Sequence, residues 1–137
     1  MKTLKSILAL LLVSAFTFTS CKKDKNEVVV GPESELEGVW IGKYGSGNSD
    51  PVFYYRMELN ENGTMRVTND PNNIIKGSGK WKLKDDVFTG TYTYVENNIV
   101  YEYNVSAKYL SEKKQLVGSW GSGFENPDDG DFYLEKQ

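Results

Sequence analysis

The chain of 137 residues contains no histidine, and it contains a single cysteine, Cys21. Without histidine or a second thiol, histidine-based triads, Cys–His pairs and the usual zinc sites are excluded. A lone cysteine also excludes a disulfide within one chain. No glycine-rich loop leads into a helical pattern, which argues against a phosphate-binding loop. We therefore expect no cofactor.

An excess of positive charge is also missing. The formal net charge is −3, and removing residues 1–20 takes away two lysines and no acidic residue, which leaves −5. A mildly acidic chain is a poor partner for the phosphates of nucleic acid. It also gives no reason for electrostatic adhesion to anionic lipid. We expect no nucleic-acid partner.

The one long apolar run, residues 7–18, follows Lys2 and Lys5 and precedes the small residues Thr19-Ser20. This order is typical of a signal peptide over residues 1–20, and the run is too short to span a bilayer. The sequence Phe18-Thr19-Ser20-Cys21 resembles the lipobox of bacterial lipoproteins, whose cysteine is acylated and becomes the new N-terminus. That resemblance implies lipidation of Cys21 and a membrane attachment through this lipid. Ordinary secretion with a free cysteine is the alternative.

Residue 22 bears on the destination of such a lipoprotein. In Gram-negative sorting, an Asp directly after the acylated cysteine tends to retain the protein at the inner membrane. The chain has Lys22 instead, so the resemblance implies export to the outer membrane. Residues 21–35 are charged and have little to bury, which predicts a flexible tether.

Residues 36–137 form the predicted domain, and apolar and polar residues alternate through most of it. The pattern is clearest over residues 77–95, where Asp85-Asp86 separates two alternating stretches, as in a β-hairpin. No segment shows sustained helical periodicity. Eight strands are predicted, over residues 36–44, 52–59, 64–68, 77–83, 88–95, 99–107, 116–120 and 131–135.

A β-sandwich and an up-and-down barrel both fit eight short strands, and three features favour the barrel. The turns are short enough to join neighbouring strands, and nothing requires the long connection of a Greek key. Each of the three tryptophans occurs as Gly-x-Trp, at Gly38–Trp40, Gly79–Trp81 and Gly118–Trp120. A glycine beside a large residue on one face suits a tightly curved wall. We predict an all-β, eight-stranded antiparallel barrel.

Two of these stretches resemble a known family. Gly38-Val39-Trp40, at the head of an eight-strand meander, resembles the first-strand motif of the calycins, which include lipocalins, fatty-acid-binding proteins and avidins. Residues 88–92, Phe-Thr-Gly-Thr-Tyr, resemble avidin strand sequence. Behind a lipobox, residues 36–137 resemble the small lipocalin-like domain of bacterial lipoproteins. The resemblance implies a barrel that binds or carries a small apolar ligand. It does not imply biotin binding, because Gly42 stands where avidins place a polar contact.

The predicted inward face of the barrel is rich in aromatic residues and contains no Asp or Glu, which argues against paired-carboxylate catalysis and against an enzyme. These rings either line a ligand cavity or fill the barrel, since eight strands leave room for little more than their own side chains. In the hairpin around residues 96–98, Tyr94 is predicted opposite Tyr101, and Tyr92 near Tyr103. The candidate ligand-binding residues are Trp40, Tyr44, Tyr55, Trp81, Tyr92, Tyr94, Tyr101, Tyr103 and Trp120.

Two further possibilities concern the loops. Asp128, Asp129 and Asp131 are a weak candidate for a Ca²⁺ site, but the closing Glu of an EF-hand loop is missing, and a solvated turn is favoured. The loops at residues 45–51, 69–73 and 121–130 also suggest an alternative function. Some small calycin barrels act as protease inhibitors through one barrel mouth. The chain is then an interaction module, such as an inhibitor of an extracellular hydrolase, with a filled barrel.

Overall fold

A computed structural model describes residues 32–137, so the predicted signal peptide, Cys21 and most of the predicted tether lie outside the described residues. A short helix and a single 3-10 turn accompany the strands. Within the described part, no helix is long and apolar enough to cross a membrane. The elements are α1 Pro32–Leu36, β1 Gly38–Tyr44, β2 Phe53–Leu59, β3 Thr64–Thr68, β4 Gly77–Lys84, β5 Val87–Glu96, β6 Ile99–Leu110, the 3-10 turn Ser111–Lys113, β7 Gln115–Ser122 and β8 Gly130–Lys136.

The eight strands form one closed antiparallel barrel in which each strand pairs with its neighbours in the chain and β8 pairs with β1. Prediction and structure therefore agree on an all-β barrel of up-and-down order. Strands β6 and β7 are longer than predicted, and they meet at the turn Ser111–Lys113. Closure pairs the edges of the sheet with each other, which is how a barrel of this kind satisfies its strand backbone.

Two tight hairpins explain why neighbouring strands pair so regularly. Asp85 and Asp86 have φ of 49° and 62°, and Asn97 and Asn98 have φ of 50° and 64°. Two successive residues with positive φ form the type I′ turn, whose twist matches that of paired strands. Asp and Asn tolerate this conformation better than most residues. The pairs Asp85-Asp86 and Asn97-Asn98 thus form the turns of the β4–β5 and β5–β6 hairpins.

The strand order gives the barrel two unlike ends. Residues 45–52, 69–76, 97–98 and 123–129 connect strands at one end, which we call the mouth. Residues 60–63, 85–86 and 111–114 connect them at the other end, which we call the closed end, and α1 lies there as well. The three loops assigned to an interaction module in the sequence therefore gather at the mouth, because every second connection of an up-and-down barrel lies on the same side.

Helix α1 seals the closed end. Leu36 is fully buried, and the Trp40 indole N–H donates to the Leu36 carbonyl oxygen at 2.7 Å. The Trp40 ring also meets Tyr109 edge to face, with ring centroids 6.1 Å apart. The last residues of the predicted tether, 32–35, thus lie in a helix that packs on the barrel, and Leu36 belongs to that helix rather than to the first strand.

Glycines allow neighbouring strands to approach closely where the barrel wall curves. A Cβ on Gly79 would lie 2.0 Å from the carbonyl oxygen of Thr91, and a Cβ on Gly118 would lie 2.0 Å from that of Ser106. Both contacts are to the backbone of the adjacent strand. The Gly-x-Trp pattern correctly predicts that these positions require glycine. The reason is the close approach of the adjacent backbone rather than the bulk of the nearby tryptophan.

Candidate functional site

A cavity of about 200 Å³ lies inside the barrel at the mouth. Among residues 32–137, its wall takes five tyrosines, one tryptophan, one amide and one carboxylate, and no aliphatic side chain. Strands β1, β2, β5, β6 and β7 supply most of these residues, since side chains of one parity on each strand point into a barrel. The lining residues are Tyr44, Tyr55, Asn69, Tyr92, Tyr94, Glu96, Tyr103 and Trp120.

Five of these rings form a continuous circuit around the cavity, which we call the aromatic belt: Tyr44, Tyr55, Tyr92, Tyr103 and Trp120. Tyr44 meets Tyr55 with centroids 5.5 Å apart and Trp120 at 5.9 Å. Trp120 meets Tyr103 at 5.8 Å, and Tyr103 meets Tyr92 at 5.5 Å. The Tyr92 and Tyr55 hydroxyls complete the circuit with a hydrogen bond of 2.9 Å.

Two further hydrogen bonds hold side chains of the site in place. The Tyr94 hydroxyl donates to the side-chain oxygen of Asn69, from the loop between β3 and β4. The Trp120 indole N–H donates to the Gly45 carbonyl oxygen at 2.7 Å, which ties β7 to the loop after β1. These bonds fix a loop residue and a ring at the rim, so the cavity is bounded by positioned side chains.

The hydroxyls of Tyr55, Tyr92 and Tyr94 are neutral at ordinary pH. Burial, the largest cause in each case, raises the pKa of Tyr55 and Tyr92 well above the usual value for tyrosine. Burial likewise raises the pKa of Tyr94 to about 12. A neutral hydroxyl is both a donor and an acceptor. The Tyr55–Tyr92 pair can therefore bond to a polar group of a ligand in addition to its own internal hydrogen bond.

Glu96 and Asn69 belong to the cavity although the sequence reasoning assigned neither to it. The prediction placed Glu96 in a turn with the two asparagines that follow, and it found no acid on the inward face. That was wrong, because β5 continues through Glu96 on the same parity as Tyr92 and Tyr94. The parity of β5 was the signal that could have found it. Asn69 lies in a loop, where alternation gives no orientation.

Three predicted ligand-binding residues do not line the cavity. Trp40 is fully buried at the closed end. Trp81 is also near that end, where its indole N–H donates to the carbonyl oxygens of Asn60 and Thr64 at 3.1 Å and 3.0 Å. Tyr101 is 40% exposed on the rim, stacked on Tyr103 with centroids 6.4 Å apart.

The predicted register of the β5–β6 hairpin is confirmed: Tyr94 pairs with Tyr101, and Tyr92 with Tyr103. The hairpin nevertheless rises above its neighbours, because β5 pairs with β4 only as far as Tyr94 and β6 pairs with β7 only from Tyr103. Beyond Tyr94 on β5 and before Tyr103 on β6, a side chain on the inward parity is therefore no longer buried by neighbouring strands. Phe53 shows the same effect, since it shares the parity of Tyr55 and Met57 but is exposed at the start of β2.

The three acidic residues of the candidate Ca²⁺ site, Asp128, Asp129 and Asp131, are not gathered around a common point. The Asp129 carboxylate accepts a hydrogen bond of 2.6 Å from the Ser122 backbone N–H, and hydrogen bonding to Ser122 lowers the pKa of Asp129. Asp128 and Asp131 are exposed. Among residues 32–137, no group of three or more His, Cys, Asp or Glu side chains is placed to hold a metal ion.

The geometry thus consists of an eight-stranded antiparallel closed barrel, which fits a lipocalin-like fold, with an aromatic cavity at one end. Such a barrel is compatible with ligand binding, since lipocalin-type barrels of eight strands hold one small ligand in their interior. Comparisons of the chain with protein-family models, with curated proteins and with solved structures found no match.

Proposed function

We propose that this protein is a non-catalytic, lipid-anchored lipocalin-like carrier that binds one small, largely apolar ligand in the mouth cavity. The cavity inside the aromatic belt is the single observation that carries the proposal. A barrel whose side chains filled it completely would have favoured a protein-interaction module instead. Here the aliphatic side chains fill the barrel away from the mouth, and the aromatic rings surround a space.

The size of the cavity sets the size of the ligand. A cavity of about 150 Å³ is enough for benzene, and pockets for drug-sized molecules begin at about 300 Å³. The mouth cavity, at about 200 Å³, falls between these limits. We therefore propose a ligand with one ring or a compact branched group, lying against the rings of the belt. Its polar end would bond to the Tyr55–Tyr92 hydroxyl pair or to the groups at the rim.

Native mass spectrometry of the protein purified from its own cells tests the carrier directly. We expect a fraction of the folded protein to carry a small molecule, which is released on unfolding and can then be identified. In vitro, neutral tert-butylbenzene should bind the wild-type protein in a calorimetric titration. A folded protein that carries no small molecule and does not bind this probe would rule out the carrier.

The lipid anchor is the second part of the proposal, and it rests on the sequence around Cys21. The Cys21→Ala variant should lose acylation and move from the membrane fraction to the soluble fraction, because the thiol is the only acceptor of the lipid. Ser20→Ala is the matched control, since it keeps a small residue before the cysteine. A Cys21→Ala protein that stays in the membrane pellet after carbonate washing would contradict the anchor.

A specific observation favours a second candidate function, the interaction module. Eight of the ten exposed large hydrophobic side chains among residues 32–137 lie at the mouth, spread over all four of its connections. Exposed apolar groups clustered around one feature mark an interaction surface more often than scattered ones do. We call these eight residues the apolar rim: Val52, Phe53, Ile74, Val95, Ile99, Val100, Tyr101 and Phe124.

Charged substitutions on the rim separate the two candidates. For an inhibitor of an extracellular hydrolase, Ile74→Asp and Val100→Asp should abolish inhibition of the target enzyme, because a buried unpaired charge in an interface is costly. The same variants should leave tert-butylbenzene binding unchanged, since neither residue lines the cavity. Inhibition that is absent in the wild type across a panel of secreted hydrolases would remove this candidate.

A further inference from the structure

We propose that the ligand of the mouth cavity is an organic cation, an ammonium group held by the aromatic belt and by the Glu96 carboxylate. The inference rests on the proposed function, because it names the chemical class of the ligand for the same cavity. It follows from the composition of the wall, the angles between the rings and the sign of the charges around them.

The wall lacks the side chains expected around an aliphatic ligand. Leucine, valine and methionine occur in the core of the barrel, but none of them lines the cavity. Tyrosine and tryptophan differ from those residues because their ring faces carry partial negative charge. A cation near such a face is attracted by the ring, and tryptophan gives the strongest attraction. A wall built of these rings therefore discriminates in favour of positive charge.

Most neighbouring rings of the belt are steeply inclined to one another. Tyr44 and Trp120 are inclined at 87°, Trp120 and Tyr103 at 67°, and Tyr44 and Tyr55 at 61°, whereas Tyr92 and Tyr103 are inclined at 31°. Tyr94 extends the wall from Tyr103 at 83°. Rings at steep angles present several surfaces to one central group, which is the arrangement that aromatic cages use for quaternary ammonium groups. Stacked parallel rings would suit a flat ligand instead.

The charge in the cavity wall has the sign that a cation requires. Among residues 32–137, Glu96 is the one charged residue that lines the cavity. Burial is the largest cause of the raised pKa of Tyr103, followed by Tyr101 and Tyr44, and the carboxylates of Glu96 and Asp129 add the smallest contributions. Lys76 lies 3.6 Å from Glu96 and is its present partner. A ligand cation would share or take over this carboxylate, in competition with Lys76.

A pair of probes with the same shape and different charge tests the inference. Phenyltrimethylammonium and tert-butylbenzene share one outline, and only the first is charged. Calorimetric titration of the wild-type protein should show the cation binding at least about tenfold more tightly, the size expected for a desolvated cation–aromatic contact. Glu96→Gln should reduce this preference by about threefold to tenfold. Lys76→Gln should increase the affinity for the cation and leave that for the neutral probe unchanged.

Controls keep the ligand class separate from the carrier proposal. Tyr103→Leu should remove most of the preference for the cation, whereas Tyr54→Leu, on the outer face of β2, should keep it. Equal affinities for the two probes, or tighter binding of the neutral one, would overturn the cation and leave the carrier standing. A folded protein that binds neither probe would overturn both. Because Glu96 is half exposed, its variant should fold even where Tyr103→Leu does not.

Discussion

The two halves of the barrel share one alternating pattern of residues and differ in what fills them. Toward the closed end, aliphatic side chains such as Leu59, Leu83 and Leu116 are buried together with Trp40 and Phe88. Toward the mouth, tyrosines replace them. Branched and flexible side chains interdigitate to the density of a crystal. Planar rings whose hydroxyls need partners pack less completely, and here they leave the cavity.

The difference separates stability from binding. Burial of apolar surface is the dominant favourable contribution to folding, and the closed half contributes much of it. The mouth half meets its hydrogen-bonding needs with pairs such as Tyr55–Tyr92 and Tyr94–Asn69. Substitutions in the closed half should therefore reduce the free energy of unfolding most, and substitutions at the mouth should act mainly on binding.

The largest expected effect comes from truncating the closed half. Phe88 is fully buried and stacks on Trp81 with centroids 6.0 Å apart. Phe88→Ala should lower the free energy of unfolding in urea by about 3–5 kcal/mol, through lost burial and the void left behind. Tyr101→Ala, at the exposed rim, should cost less than about 1 kcal/mol. Similar losses for both variants would show that the two halves do not differ in this way.

Alkaline pH should weaken the mouth half more than the closed half, because the pKa is raised for Tyr55, Tyr92, Tyr94 and Tyr103 at the mouth and for Tyr109 alone at the closed end. The pKa values of Tyr55, Tyr92 and Tyr94 are raised in the folded protein, so the stability they contribute is complete below pH 10, the ordinary tyrosine value. It is then lost as the pH rises toward about 12, where Tyr94 ionises in the folded state. The three groups together should therefore lower the free energy of unfolding progressively as the pH rises above 10.

Urea unfolding between pH 8 and pH 11, followed by circular dichroism, measures this loss. Ultraviolet titration of tyrosinate in the native protein should show a set of late-ionising groups that includes these three. Tyr94→Phe should reduce the slope of the free energy of unfolding against pH, because it removes one group that ionises late. A free energy of unfolding that stays constant up to pH 11 would contradict the buried, neutral state of these hydroxyls.

Substitutions at two glycines between the halves should lower the free energy of unfolding by an intermediate amount. Gly79→Val and Gly118→Val should each lower stability by about 1–3 kcal/mol, because the new side chain meets the backbone of the adjacent strand. Thr91→Val and Lys82→Ala, at exposed positions of β5 and β4, are the controls and should have much smaller effects. Equal losses at both sets in thermal unfolding would show that the strand faces are assigned wrongly.

The clearest effects on binding should come from the cavity wall. Tyr94→Ala and Tyr103→Ala should weaken binding of tert-butylbenzene by about 1–3 kcal/mol, because each removes one ring from the wall. Tyr54→Ala should leave binding intact, since its hydroxyl bonds to Asn73 outside the cavity at 2.7 Å. Calorimetric titration measures the affinity of all three variants for tert-butylbenzene. If Tyr54→Ala binds the probe as weakly as the other two, this assignment of the cavity wall is refuted.

Much of this architecture could be predicted from the sequence, because a period of two and short polar turns fix a strand, its faces and its partner. The Tyr94–Tyr101 register followed from the length of one turn. What alternation could not give was the height of each residue along the barrel. Trp40 and Tyr44 share a face of β1, yet one lies under helix α1 and the other lines the cavity.

The remaining gaps have the same physical origin. Asn69 reaches the cavity from a loop, and Glu96 does so because β5 continues past the point where the polar turn was expected to begin. Neither the path of a loop nor the last residue of a strand is encoded by the alternation of apolar and polar residues. The cavity itself depends on how far the rings interpenetrate, which composition alone does not determine.

Tryptophan fluorescence during a titration with tert-butylbenzene tests the central claim, that the mouth half binds and the closed half does not. Trp120 lines the cavity, whereas Trp81 stacks on Phe88 toward the closed end. We predict that the wild type and Trp81→Phe both show a saturable change in emission, and that Trp120→Phe loses it. A change that persists in Trp120→Phe and disappears in Trp81→Phe would place the ligand in the closed half and contradict the account.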